Sequence, residues 1–227
     1  MQVKEKLQFG ALFAHPEHSI CSAWLASFDY PWQALDGLGD FIRRTGAALP
    51  ADVYEKRGED VWIARDVTVA PTATLTGPLI VGPGAEIRPG AFIRGCVVVG
   101  AGAVVGNSTE LKNCVLFDEV EVPHFNYVGD SILGYRAHLG AGAVTSNIKS
   151  DRRCVTVRVG NEAVETGRRK LGALLGDFAE VGCNSVLNPG TVIGRHTTVY
   201  PLSSVRGYVP AESIYKTAGN VVKKRPV

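Results

Sequence analysis

Aliphatic residues recur at every sixth position along most of this chain. Stepping by six from Ile63 meets Val69, Leu75, Val81, Ile87, Ile93, Val99, Val105, Leu111 and Phe117. At an apolar content near 45%, ten hits in one phase would arise by chance roughly once in three thousand tries. A second run, in a new phase, takes in Leu175, Val181, Leu187, Ile193, Val199 and Val205. Small or β-branched residues stand four positions after many of these, as at Ala85, Ala91, Val97, Ala103, Thr109 and Val115. A period of six matches neither an amphipathic helix nor the strict alternation of a half-buried strand. It matches a parallel β-helix, in which a short strand and a turn occupy six residues and three such units close a triangular coil. One aliphatic residue per unit points inward and stacks on its counterpart about eighteen residues on, at the ordinary strand spacing of about 4.8 Å. The hexapeptide form winds left-handed, against the usual right-handed crossover rule. The predicted fold class is therefore all-β, a left-handed parallel β-helix over residues 59–212.

Three regions stand outside the period. Residues 1–58 contain "PEHSICSAWLASF" and "PWQALDGLGDFIRR", each read as a short helix opened by proline. Trp24, Leu25, Trp32, Leu35, Leu38 and Phe41 would form an apolar face that packs on the coil and caps an open edge. Residues 146–174 are polar, basic and out of phase, and are expected to project as an arm. Within them "CVTVRVGNEAV" alternates like a small hairpin turning on Gly160 and Asn161. Residues 213–227 form a basic tail ending "NVVKKRPV".

Composition narrows the function classes. Lys and Arg number 24 against 22 Asp and Glu, so nothing electrostatic singles out nucleic acid as a partner. Five cysteines lie scattered without a CxxC pair, which favours a reducing compartment and buried thiols over a disulfide framework. No apolar run approaches a membrane span and the N-terminus lacks signal-peptide flanks. The expectation is a cytoplasmic protein that meets no membrane.

The chemistry-bearing residues gather where the repeat falters, at "VPHFNYVGD", residues 122–130, in which proline and histidine replace the expected aliphatic and small polar residues. Arg94 and Lys112 each follow an aliphatic slot, are eighteen residues apart and should stack one coil apart on one face. Two cations at strand spacing repel unless an anion lies between or before them. Glu110 shares the outward side of its strand with Lys112. The ordered set "ELK" (110–112), "HFNYVGD" (124–130) and "GAGAVTSN" (140–147) resembles the acetyltransferase domain of the bacterial bifunctional N-acetylglucosamine-1-phosphate uridylyltransferase/glucosamine-1-phosphate acetyltransferase. The match runs without a gap from Arg94 to Asn147 and more loosely over residues 63–210. That resemblance implies an N-acetyltransferase that uses acetyl-CoA on an amino-sugar phosphate within a homotrimer whose active site forms between subunits. It implies His124 as the general base, Arg94, Lys112 and Tyr127 as holders of the sugar phosphate, and Asn147 as a contact to the sugar or the acetyl group. Ala141, Gly142 and Cys183 would lie along the coenzyme. "RPG" at Arg88 makes that arginine a reserve for Arg94.

The chain also departs from that pattern. His138 stands where asparagine is usual, and is a second polar candidate for the substrate cleft. Ile148 replaces an aromatic residue, and no Gly-rich nucleotide loop accompanies the coil. The chain is thus expected to act without a uridylyltransferase domain. Glu110, near the preceding coil's end, is a candidate to orient the His124 imidazole. Outward valines such as Val97, Val98 and Val104 leave apolar surface that a trimer would cover. A zinc carbonic anhydrase on the same coil would need three converging histidines, two close in sequence. His124, His138 and His196 include no such pair, so no metal is expected. Two other functions fit the same residues: a non-catalytic β-helix that scaffolds or regulates a separate nucleotidyltransferase, and an acyltransferase for a nucleotide-linked amino sugar.

Overall fold

The computed structural model of the protein describes residues 2–225. It is the left-handed parallel β-helix that the six-residue period predicts, with few helices. On the first face Ile63, Val81, Val99, Leu116 and Leu133 lie opposite one another in successive parallel pairs, followed by Leu175, Ile193 and Val209. The second face stacks Val69, Ile87, Val105 and Val122, then Leu139, Val181, Val199 and Tyr215. The third stacks Leu75, Ile93, Leu111, Val128, Thr145, Leu187 and Val205. These columns, buried except for half-buried Val69 and Leu75, form the interior. Thr145 stands in an apolar column because its hydroxyl is satisfied there. It accepts from the Gly129 N–H at 3.0 Å and lies 3.1 Å from the Ser131 hydroxyl.

The change of phase has a local cause. Coils repeat every 18 residues up to Val99, then every 17 from Val99 to Leu116 and from Leu116 to Leu133. In the earlier coil the corner after Ile93 turns on two left-handed residues, Gly95 and Cys96 (φ 89° and 52°). In the next two coils it turns on one, Asn113 or Asp130 (φ 49° each), inside the unbroken strands Glu110–Leu116 and Tyr127–Leu133. Pro123 is not the break, since the strand Glu121–His124 runs through it. The lost residue also corrects Phe117. It is not an interior slot, and its ring lies outside the coil, stacked on Phe13 at 5.0 Å.

The N-terminal segment covers the first face. Its helical pieces are shorter than expected: Pro16–His18 and Pro31–Asp36 are 3-10 turns, with α-helices at Ser22–Ala26 and Leu38–Ala47. Leu25, Trp32, Leu35 and Leu38 are buried, and Trp24 and Phe41 stack at 4.5 Å. Beneath them the outward residues Ile80, Val98, Val115 and Ile132 are as buried as the interior. Val98 therefore offers nothing to a neighbouring subunit, because the chain's own helices already cover it, and Val97, two residues before inward Val99, points into the coil. The strand Tyr54–Gly58 pairs antiparallel with Val61–Ala64, so the coil's first edge is closed by a hairpin from inside the appendage.

The arm does not project. Thr156–Val159 and Glu162–Glu165 form the hairpin with Gly160 and Asn161 at its turn. Its valine stripe, Val155, Val157 and Val159, folds back onto the strands Thr191–Ile193 and Tyr208–Val209 of the first face, beyond the helices' reach. The tail is likewise structural. Ser213–Thr217 completes the second face, and Asn220–Lys223 returns antiparallel as a closing hairpin. The last two residues of that tail lie outside the described residues. Cys21 and Cys114 are buried, Cys21 being pushed up to about 12 by desolvation, but Cys154 and Cys183 are exposed, contrary to uniformly buried thiols. No helix among the described residues is long and apolar enough to cross a membrane.

Candidate functional site

His124 stands exposed at the corner between the second and third faces, and its backbone is fixed from inside the coil. Its N–H donates to Asn126 Oδ1 at 3.1 Å, and its carbonyl accepts from the Gly142 N–H at 3.0 Å. Asn126 is a buried asparagine whose amide also donates to the carbonyls of Gly140 and Ala143, each at 2.9 Å. All the groups that this tight corner turns inward are thus paired. Gly106 explains how the proline fits: a Cβ there would lie 1.6 Å from the Pro123 carbonyl oxygen. The column before the corner admits Pro123 because the coil beneath it carries no side chain.

The same corner continues through the residues assigned to the coenzyme. Asn107 pairs with His124 in register. The Ala141 carbonyl accepts from the Asn184 N–H at 2.8 Å, and the Cys183 carbonyl from the Leu202 N–H at 2.9 Å. His124, Ala141, Gly142 and Cys183 therefore share one edge of the prism. Beside it a groove of about 230 Å³ is lined by His138, Gly140, Glu180, Cys183, Tyr200 and Pro201. His138 lies on the second face, its Nδ1 3.0 Å from Glu180 Oε2. The structure brings it to this groove and not to the third face with the other sugar candidates.

The third face carries the rest. Glu110 lies opposite Phe92 on one side and Tyr127 on the other. Arg94 and Lys112, each one residue past the paired Ile93 and Leu111, stack at the far edge of this face. The anion that such stacking calls for is Glu110, whose Oε1 accepts from Arg94 Nη1 at 2.7 Å. Glu110 therefore neutralises Arg94 and makes no bond to His124 among the described residues. As an orienting group for the imidazole it is corrected. Lys112 has no ion pair among the described residues, which leaves it as the uncompensated cation of the pair. Arg88 bonds Glu86 at 2.9 Å on the second face, away from this edge.

Tyr127 is held in a network that the sequence only partly indicated. Asn147 Nδ2 donates to Tyr127 Oη at 3.1 Å and to Asp130 Oδ2 at 2.6 Å. Asn113 Nδ2 donates to Asp130 Oδ1 at 2.8 Å. Nearly buried Arg168, from the arm, bridges Asp36 and Asp130, its Nη2 3.9 Å from Asp130 Oδ1. A Cβ at Gly129 would lie 2.5 Å from Tyr127 Oη and 2.9 Å from Asn147 Nδ2, so glycine is what lets the tyrosine fold back across its own strand. Burial, with Asp130 and Glu110 near, pushes the Tyr127 phenol up and keeps it neutral at pH 7. Asn113, Asp130 and Arg168 were missed. For Asp130 the signal was present, as the last residue of "HFNYVGD". Nothing marked Asn113, which meets Asp130 from a neighbouring coil, and Arg168 stood out only as part of the basic run 168–170, read as solvated charge or a phosphate contact and not as a partner of Asp130.

Comparison with known proteins agrees with the motifs. Residues 75–168 match the family described as the GMPPB C-terminal domain. The bifunctional sugar-1-phosphate nucleotidylyltransferase/acetyltransferase of Sulfurisphaera tokodaii is 37% identical over 87 residues, which is 38% of this chain and 22% of that protein. The bifunctional protein GlmU of Methanococcus maripaludis is 31% identical over 112 residues, 49% of this chain and 27% of its own length. The chain is a hexapeptide-repeat protein that resembles the acetyltransferase domain of these bifunctional enzymes. It spans about a quarter of their length. Among solved structures, the acetyltransferase domain of PglB from Neisseria gonorrhoeae, in complex with acetyl coenzyme A, is 16% identical with a TM-score of 0.33, covering 84% of this chain and 67% of that one. GDP-perosamine N-acetyltransferase from Caulobacter crescentus, in complex with CoA and GDP-perosamine, is 18% identical with a TM-score of 0.36, covering 73% and 57%.

Proposed function

We propose that this chain is an acetyl-CoA-dependent N-acetyltransferase whose acceptor is an amino-sugar phosphate. The observation that carries the reading is the exposed His124, its backbone fixed by Asn126, on the same prism edge as Ala141, Gly142 and Cys183. The amine lone pair attacks the thioester carbonyl carbon while the imidazole takes the amine proton. The C–S bond then breaks, and the coenzyme leaves as a thiolate that takes up a proton. Lys112 at the far edge, its charge uncompensated beside the Arg94–Glu110 pair, together with the neutral Tyr127 hydroxyl, suits an anionic acceptor. The coenzyme would run along the groove beside Cys183 and His138.

The first experiment is a heat-shift and product assay of the whole chain with acetyl-CoA, hexosamine phosphates and nucleotide-linked amino sugars. The proposal expects acetyl-CoA to raise the melting temperature and a hexosamine phosphate to be acetylated. Acetylation of the nucleotide-linked sugars alone would replace the acceptor. The absence of both stabilisation and product would leave a non-catalytic β-helix.

If Lys112 holds the acceptor phosphate, Lys112→Ala should raise the acceptor KM about 10–100-fold, the usual worth of a charged hydrogen bond. The KM for acetyl-CoA should barely change. Equal constants with a lower melting temperature would make Lys112 structural.

The reading includes a homotrimer with parallel axes. With the valines of the first face already covered, its support is the corner bearing His124. There Phe125 and Leu202 are 62% and 79% exposed, both in the left-handed backbone region that bulky residues avoid. Light scattering that returned a monomer at working concentration would remove both the trimer and a shared active site.

A further inference from the structure

We propose that His15, Glu17 and His18 form a binding site for a divalent transition-metal ion, zinc by its donor chemistry. The close histidine pair that such a site requires is absent from the repeat but present ahead of it, in "HPEH". One donor atom from each of the three side chains lies within 4.8 Å of the others. His15 Nδ1 is 3.2 Å from Glu17 Oε1, and His18 Nε2 is 3.8 Å from the same oxygen. A tetrahedral ion with bonds of about 2.05 Å holds its donors about 3.3 Å apart. Two of the three separations are thus already near that value, and the His15–His18 pair, within 4.8 Å, closes on an ion by at most about 1.5 Å.

The chain holds these donors in place by several means. Pro16–His18 is a 3-10 turn, closed by the His18 N–H donating to the His15 carbonyl at 3.1 Å. Such a turn eclipses residues three apart, so both imidazoles rise on one side. The His18 ring is stacked on Tyr135 at 3.8 Å and 5°, and the His15 ring packs against Tyr135 and, edge-on, against Phe178. The carboxylate of buried Asp177 accepts from the N–H groups of Ala14 and His15 and so anchors the turn's start.

The arrangement behind the donors points the same way. His18 Nδ1 lies 3.4 Å from Asp118 Oδ2, while its Nε2 faces Glu17. A metal-bound histidine ordinarily gives its other N–H to a carboxylate, which fixes tautomer and ring. Asp118 is itself tied, Oδ1 accepting from the Ala101 N–H at 2.8 Å. Two imidazoles and one carboxylate suit zinc, cobalt or nickel, whereas calcium and magnesium want an all-oxygen shell. The side chains are 40%, 62% and 32% exposed, so water completes the shell and the ion exchanges with solvent. Bound there, the ion would fix the 15–18 turn and, through the bond of His18 to Asp118, tighten its seat on the coil.

The test uses the whole chain, purified without a histidine tag and stripped with chelator, then titrated calorimetrically with zinc. The expected result is one ion per chain, and with cobalt the visible absorption of a four-coordinate nitrogen–oxygen site. The double variant His15→Ala/His18→Ala should lose both signals. Glu17→Gln, at an exposed position that cannot unfold the chain, should weaken binding. Asp118→Asn, which keeps all three donors, should weaken it about 10–100-fold. No uptake at about 100 µM zinc would overturn the site. So would unchanged uptake by the double variant and Glu17→Gln, which would place the ion on the exposed Cys154 or Cys183.

Discussion

Replacing His124 with alanine should cut turnover by roughly 10²–10⁴, the usual worth of a general base, and leave acetyl-CoA binding nearly intact. An amine attacks a thioester only when neutral, and much of a sugar amine is protonated at neutral pH. Histidine as a residue type changes charge in this range and can carry that proton. The side chain at 124 bears no structural load: it is exposed, and the bonds that hold the corner run through its backbone N–H and carbonyl. Alanine keeps those bonds, so the melting temperature should hardly move while kcat falls. Wild type and variant acetylating an amino sugar equally well would reduce His124 to a turn residue. The neighbouring Asn126 gives a contrast, because its removal breaks three hydrogen bonds to the coil's backbone and should lower stability and turnover together.

The largest loss of stability is expected at Asp177, far from that chemistry. Its carboxylate is fully buried and accepts from Ala14 at 2.6 Å, His15 at 3.2 Å and Tyr135 at 2.9 Å, all backbone N–H groups. Its own N–H donates to the Leu12 carbonyl at 3.0 Å. This one side chain thus joins the N-terminal segment to corners of two coils. Burial pushes the carboxyl above its ordinary range, and the three donors pull it partly back. Asp177→Ala leaves those donors without a partner and should cost about 3 kcal/mol. Asp177→Asn should cost nearly as much, because an amide must turn its own N–H₂ toward donors on one side. Urea unfolding measures both, and a midpoint equal to wild type in either would show that the segment is held by its apolar contacts alone.

The coil was legible in the spacing of apolar residues alone. Inward residues at a six-residue period can be buried together only when strands stack in parallel, so the columns from Ile63 to Val105 and from Leu175 to Val205 follow from spacing. The hairpin turning on Gly160 and Asn161 was equally local, because two residues and the alternation beside them decide it. The edge from His124 to Gly142 lay within the motifs, whereas Cys183, beyond the out-of-phase arm, joins that edge only in the structure.

What lies against what emerged only from packing. The residue dropped at Asn113 and Asp130 shows up in sequence as a lost phase, but its position depends on how a corner turns, and one left-handed residue serves there in place of two. Whether Glu110 reaches Arg94 or His124 depends on side-chain direction across a face, which spacing does not specify. The covering of Val98 by helices and of Val192 by the arm depends on which apolar surface each segment finds nearest. The meeting of His15, Glu17 and His18 with Asp118 needs a 3-10 turn from the chain's start to land beside a corner a hundred residues on. Contacts of that range are fixed by packing and not by local propensity, and so the repeat could be read from the chain while its partners could not.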